Sequence, residues 1–182
     1  MCKNCKCGEE IEVKVIYHDP NMPRLEKLEK GNWIDLRAIE GGKITRNGEK
    51  FKAKWKTEVK VVDGVETPVR VLKYKAGDFI MINLGITIAQ PLGYEVRIVP
   101  RSSTFKNFGL IQVNSMGIGD DTFRGDDDVY QMPCYALRDG QIELYNRVCQ
   151  FRLEKVMPPL NIKEVETTGY KNRSGFGSSG VK

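Results

Sequence analysis

No stretch of the 182 residues approaches the roughly 20 consecutive apolar residues that a membrane-spanning helix needs, so no membrane partner is expected. The N-terminus, Met1 to Gly8, has no hydrophobic run either; no signal peptide is read there, and a reducing cytoplasm is the expected compartment. Cysteine is scarce and odd in number: five residues, three of them within the first seven, which read as free thiols and not as a disulfide framework. Cys2, Cys5 and Cys7 have metal-like spacing, and His18 could supply a fourth ligand. A structural zinc site shows two clear ligand pairs, however, so residues 1 to 10 are read as a thiol-bearing leader. The lysines do not gather in one block, so the net charge of +5 points to an anionic small ligand and not to nucleic acid. A convincing long helical pattern is missing, and so is any internal repeat.

What remains is a succession of short alternating segments. Ile11 to Tyr17 places Ile11, Val13, Val15 and Tyr17 on one face, and His18-Asp19-Pro20-Asn21 reads as a turn. Leu25 and Leu28 would fit one brief helical turn. Phe51 to Leu72 alternates about Asp63-Gly64, the short-range signature of a hairpin, with Lys54, Lys56, Glu58 and Lys60 on its solvated face. Phe79 to Ala89 is apolar and β-branched enough for a buried strand, and Tyr130 to Leu137 and Gln141 to Val156 supply more. Together these predict a single all-β domain over residues 1 to 182, a sandwich or barrel.

Two neighbouring stretches carry chemistry. Pro100-Arg101-Ser102-Ser103-Thr104 closes an apolar strand with a guanidinium, hydroxyls and a run of backbone amides, groups that suit a phosphate chain. Asn114-Ser115-Met116-Gly117-Ile118-Gly119-Asp120 then offers a carboxylate in a glycine-flanked loop that a ligand can approach closely. Asp35, inside Trp33 to Ala38, reads as a turn cap or a site carboxylate, with the cap preferred. Asp126-Asp127-Asp128 reads as a solvated loop. Residues 169 to 182 combine glycines, serines, two cations and Phe176; beside the reading as a disordered terminus, that composition suits a lid that wraps phosphates with its amides and stacks an aromatic on a base.

In order and spacing these segments resemble the five motifs of the trimeric deoxyuridine triphosphatases (dUTPases), over about residues 31 to 180. Trp33-Ile34-Asp35-Leu36-Arg37-Ala38 is similar to the first motif and Pro100-Arg101-Ser102-Ser103 to the second. Gly117 to Asp126 resembles the third, Arg147-Val148-Cys149-Gln150 the fourth, and Ser174 to Gly180 the fifth. The resemblance implies a jelly-roll-like homotrimer with shared active sites that hydrolyses dUTP to dUMP and pyrophosphate with Mg²⁺. It implies that Asp120 orients the attacking water, that Phe123 packs under the deoxyribose, and that Asn114 with the backbone of Gly117, Ile118 and Gly119 reads uracil. Arg101, Ser102, Ser103 and Gln150 would hold the phosphates, with Lys171 or Arg173 reaching the γ-phosphate and Phe176, Gly177, Ser178 and Ser179 closing the lid. Mg²⁺ would be held by the triphosphate itself, leaving Asp35 behind it.

The sequence departs from the family pattern at several points. Gly119 stands where the third motif usually has Ile, Phe123 where it has Tyr, and Lys171 where the fifth motif opens with Arg; Lys cannot give a bidentate fork. The segment 42 to 74 is longer than the usual family segment and is read as an inserted β-hairpin. A phage-type member would work in the host cytoplasm, and by analogy that hairpin would be where a regulatory protein partner docks. The alternatives are a dCTP deaminase of the same superfamily and a dUTP-binding regulator.

Overall fold

The computed structural model describes residues 10–172. In chain order the strands are β1 (Lys14–Tyr17), β2 (Ile34–Arg37), β3 (Lys43–Arg46), β4 (Glu49–Lys52), β5 (Trp55–Val62), β6 (Val65–Tyr74), β7 (Phe79–Asn83), β8 (Ile86–Ala89) and β9 (Tyr94–Pro100). A one-turn helix α1 (Thr104–Phe108) separates these from β10 (Leu110–Gln112), β11 (Gly117–Gly119), β12 (Gln131–Ala136), β13 (Gly140–Glu143) and β14 (Arg147–Lys155). The strands pair in the orders β1-β8, β10-β12-β7-β3-β4, β11-β9-β14-β2 and β13-β6-β5. Every pairing is antiparallel. The all-β expectation holds, and no helix of the described residues is long and apolar enough to cross a membrane.

The inward faces of these sheets make one core. Leu36, Leu72, Ile80, Ile82, Ile86, Ile88 and Met132 are each at most 1% exposed, and burying such a side chain is worth about 1.5–3 kcal/mol. Cys134 and Cys149 lie in the same core as free thiols. Burial pushes the Cys134 thiol up to about 12 and Cys149 higher than its ordinary range, which leaves both protonated and unreactive. Cys2, Cys5 and Cys7 lie outside the described residues. His18 is committed elsewhere, with Nε2 2.9 Å from Thr87 Oγ1.

Local chemistry explains where the chain departs from its sequence pattern. The apolar run Phe79 to Ala89 is two strands, broken at Gly85, where φ is +61° and a Cβ would stand 2.4 Å from Ile39 Cδ1; only glycine lets the chain pass from one sheet to the next there. Residues 42 to 74 build two hairpins. They turn at Asn47-Gly48 and at Asp63-Gly64, each pair with positive φ at both residues, the conformation a two-residue hairpin turn requires. This segment is tied into the molecule: β3 pairs with β7, β6 pairs with β13, and Ile44, Trp55, Val71, Leu72 and Tyr74 are buried. The helical turn at Leu25 and Leu28 is not formed; Leu25 packs against the core and its N–H donates to the Tyr17 hydroxyl at 2.9 Å.

Candidate active site

The sheet β11-β9-β14-β2 carries the candidate residues. Reading across it, β11 leads into Asp120, β9 leads into Arg101, β14 holds Gln150 and β2 holds Asp35. Hydrogen bonding between strands, not sequence proximity, brings these segments together: Gln150 pairs with Asp35 on one side and Val99 on the other.

At one end of the sheet lies a cationic corner. Asp35 is not a turn cap; it sits within β2, because the Ile34-to-Arg37 strand continues through it. Its Oδ1 accepts from Arg101 Nε at 2.6 Å and its Oδ2 from Arg147 at 3.0 Å. One carboxylate thereby holds two guanidinium groups side by side. The turn after β9 is locked by Thr104, whose Oγ1 accepts from the Arg101 N–H at 2.9 Å and donates to the Val148 carbonyl at 2.8 Å. Ser103 Oγ accepts from Arg101 at 3.4 Å, while Ser102 is exposed. Gln150 Nε2 donates to the Pro100 carbonyl at 3.4 Å. A concavity of about 320 Å³ gathers Trp33, Asp35, Arg101, Arg147 and Gln150. Its balance of charge favours an anion.

At the other end lies the acidic loop. Asp120 is exposed, and its Oδ1 accepts from the Thr122 hydroxyl at 2.6 Å and the Thr122 N–H at 2.9 Å. These bonds, the hydroxyl's first, hold the carboxyl below the usual carboxylate range, so it is ionised at neutral pH. From beneath, buried Gln90 donates through Nε2 to the carbonyls of Gly119 (3.1 Å) and Asp120 (2.6 Å). A second concavity, about 580 Å³, is lined by Ile98, Asn114, Gly117, Ile118, Phe123 and Tyr130 among others. Gln112 Nε2 donates to Asn114 Oδ1 at 2.9 Å and so fixes that amide. The Phe123 ring meets Tyr130 edge-on, centroids 5.0 Å apart. Asp126 and Asp127 are exposed, while Asp128 Oδ2 accepts from the Gly125 N–H at 2.7 Å and closes the loop.

The departure at Gly119 has a structural cause. A Cβ there would lie 1.8 Å from the Tyr130 hydroxyl oxygen and 2.7 Å from its ring carbon Cζ. Tyr130 fills the space that a side chain at 119 would need, and its hydroxyl is buried without a hydrogen-bond partner among the described residues. Burial raises its pKa, so it stays protonated.

The two concavities share no lining residue. Gly119 pairs with Val96 near the start of β9, and Arg101 follows its far end. Asp120 and Arg101 of one chain are therefore about 20 Å apart along the strand, at 3.3 Å per residue. Lys171 is exposed, and Arg173, Phe176, Gly177, Ser178 and Ser179 lie outside the described residues. Residues 156 to 172 form no strand or helix, and all are exposed.

Sequence reasoning passed over Gln90, Thr122, Tyr130 and Arg147 as individual site residues. Gln90 carried a signal, a lone amide directly after the buried run ending at Ala89; Tyr130 carried none, because its match to Gly119 exists only in three dimensions.

Among the described residues no group of three or more His, Cys, Asp or Glu is arranged to hold a metal ion. Both Asp35 oxygens are taken by arginines.

No family model matches the chain. It is 39% identical over 172 residues to the SPbeta prophage-derived deoxyuridine 5'-triphosphate nucleotidohydrolase YosS of Bacillus subtilis (strain 168), covering 94% of this chain and 100% of that protein. Among solved structures it resembles a mutant of the Staphylococcus bacteriophage 80alpha dUTPase with dUpNHpp, with TM-score 0.61 and 17% identity over 93% of this chain and 99% of that one. It also resembles a mutant dUTPase from phage phi11 of S. aureus, described with a structural Mg(II) ion, with TM-score 0.61 and 12% identity over 87% and 99% of the two chains. At these identities the structural likeness establishes the fold.

Proposed function

The chain belongs to the deoxyuridine 5'-triphosphate nucleotidohydrolase family, and from that premise we propose that it hydrolyses dUTP to dUMP and pyrophosphate. The observation that carries this reading is Asp120: an ionised, exposed carboxylate with Oδ1 committed to Thr122 and Oδ2 without a partner among the described residues. Oδ2 is free to orient a water against the α-phosphorus. The water oxygen bonds to phosphorus as the bridging P–O bond breaks and pyrophosphate leaves, while the water's proton passes to Asp120 Oδ2 and on to solvent. Positioning that water in line is most of what such a site must do.

The remaining residues divide the substrate between them. Asn114 and the Gly117 to Gly119 backbone read the uracil edge, and Phe123, braced by Tyr130, packs under the deoxyribose where a 2′-hydroxyl would clash. Asp120 also takes the 3′-hydroxyl. Arg101, held by Asp35, binds the phosphates with Gln150, and Ser102 meets the bridge where leaving-group charge develops. Ser103 supports the Arg101 side chain. Mg²⁺, when bound on the triphosphate oxygens, neutralises their charge.

The separation of about 20 Å between Asp120 and Arg101 is longer than a triphosphate. One chain therefore supplies half of two different sites, and copies must assemble to complete either one, as the homotrimer implied by the family resemblance would. Exposed apolar side chains at Ile111, Val113, Met116 and Ile118, beside the nucleoside concavity, support such an interface. The exposed segment 156–172 spans up to about 55 Å when extended, long enough for Lys171, Arg173 and the Phe176 to Ser179 segment to close a neighbour's site.

The test is pyrophosphate release with Mg²⁺ from dUTP, dCTP, dTTP and UTP, with ammonia followed in the dCTP sample. Release from dUTP alone is expected. Ammonia from dCTP would move the protein to the deaminase branch, and binding of dUTP without turnover would make it a regulator.

A further inference from the structure

The largest concavity among those described is not at the site above. About 650 Å³ in volume, it lies between the two hairpins of residues 42 to 74 and shares no residue with either half-site. Six cations line it: Arg46, Lys52, Lys54, Lys56, Lys73 and Lys75. Asp139 is the only carboxylate among its lining residues. Its floor is apolar, made by Ile44, Phe51, Val71 and Tyr74. The floor is rigidly built. The Tyr74 hydroxyl donates to the Phe108 carbonyl at 2.6 Å, and a Cβ at Gly140 would stand 2.6 Å from that hydroxyl oxygen, so Gly140 makes room for the ring.

The state of these cations is informative. Elsewhere on the same two hairpins Lys60 is matched with Glu143 and Arg70 with Glu40, while Lys43 and Lys50 have no acidic partner among the described residues. Within the concavity Arg46 is held by buried Asp78, Lys73 by Glu58 and Lys75 by Asp139. Lys52, Lys54 and Lys56 have no acidic partner among the described residues and are exposed. Lys52 also faces Lys43 directly across the β3–β4 pair, a like-charge juxtaposition that destabilises a sheet. Three of the five unmatched lysines of these hairpins thus line one hollow, and Arg46 lies over its Phe51 ring, 5.8 Å from the centroid.

We propose that this hollow is a second anion site, taking a compact phosphorylated ligand of the nucleotide class. Its phosphates lie on Lys52, Lys54 and Lys56, and its flat body lies along the side of the floor where Arg46 covers Phe51, stacking on the guanidinium plane. The volume is that of a small-ligand pocket, and ammonium groups serve phosphate as point charges without a fixed fork. The exposed Lys73 and Lys75 pairs are weak enough for a phosphate to compete for them. The chain's own termini do not supply the charge: residues 1–9 carry Lys3 and Lys6 against Glu9, and residues 173–182 carry Arg173 and Lys182 with no acid.

The experiment titrates the full-length protein with ATP by calorimetry at low salt, since a uracil-reading site with a blocked ribose position rejects ATP. The expected result is saturable binding of one ATP per chain that weakens with salt. It weakens at least tenfold in Lys54→Glu/Lys56→Glu and is unchanged in Arg101→Ala. The lysine variant should keep wild-type dUTP turnover, which also shows that it is folded. Absence of saturable binding by the wild type, equal affinity in the lysine variant, or loss in Arg101→Ala would each overturn the proposal. So would binding of a single-stranded oligonucleotide more than tenfold tighter than ATP. The half-site reading stands or falls separately, on dUTP turnover.

Discussion

At the scale of single residues, the site depends on what surrounds Asp120. Its pKa is lowered first by the Thr122 hydroxyl, so the reactive carboxylate persists as pH falls below the ordinary carboxylate range and is lost only as pH passes down through the lowered value. Thr122→Val removes the strongest donor and lets the pKa rise. The acid limb of kcat/KM should move to higher pH, with the neutral plateau kept within a few-fold; an unmoved limb would mean that Asp120 is not the group titrating. The Gly119–Tyr130 pair makes a second prediction. Gly119→Ala drives a methyl into the Tyr130 hydroxyl and should cost about 1–3 kcal/mol of stability, the usual penalty for overpacking, with a fall in kcat as the Asp120 loop is displaced. Adding Tyr130→Phe, which removes the clashing hydroxyl and keeps the ring against Phe123, should recover part of both, measured by denaturation and turnover. Full activity and stability in Gly119→Ala alone would contradict the packing.

At the scale of elements, what the sequence made legible was whatever depends on near neighbours. Asp63-Gly64 between alternating runs announced its hairpin because the turn chemistry is local, and the burial of Ile86 to Ile88 followed from an unbroken β-branched run. Asn47-Gly48 carries the same signal and turns a first hairpin, so residues 42 to 74 hold two hairpins where one is expected. The break at Gly85 was not legible, because its cause is Ile39, far away in sequence. Asp35 looked like a cap for the same reason: the arginines that justify a carboxylate inside β2 arrive from β9 and β14. The first of these elements can be tested by stability. Leu72 on β6 is 1% exposed and faces Trp55 on β5 and Ile142 on β13. Leu72→Ala should cost about 2–5 kcal/mol in denaturant unfolding, as a core residue does. A cost below about 1 kcal/mol would mean that the second hairpin is a loosely appended arm.

At the scale of the whole molecule, the sheet β11-β9-β14-β2 brings the motif-bearing strands side by side and yet holds their functional ends apart. A nucleoside pocket with its carboxylate lies at one end and a phosphate corner at the other. On the proposed reading, this arrangement gives activity only if copies of the chain meet so that one copy's Asp120 faces another's Arg101. The apolar surface around Ile111 to Ile118 and the long segment 156–172 are exposed and so available for the proposed meeting.

The direct measurement is complementation. Asp120→Asn and Arg101→Ala chains, each inactive alone on dUTP, are unfolded together in equal amounts and refolded. If each site joins Asp120 of one subunit to Arg101 of the next, random homotrimer assembly gives about a quarter of the wild-type sites an intact pair, and dUTP hydrolysis returns to that level. If both residues of one chain serve the same site, every site in the mixture carries a defect and no activity returns, a result that would contradict the shared-site account.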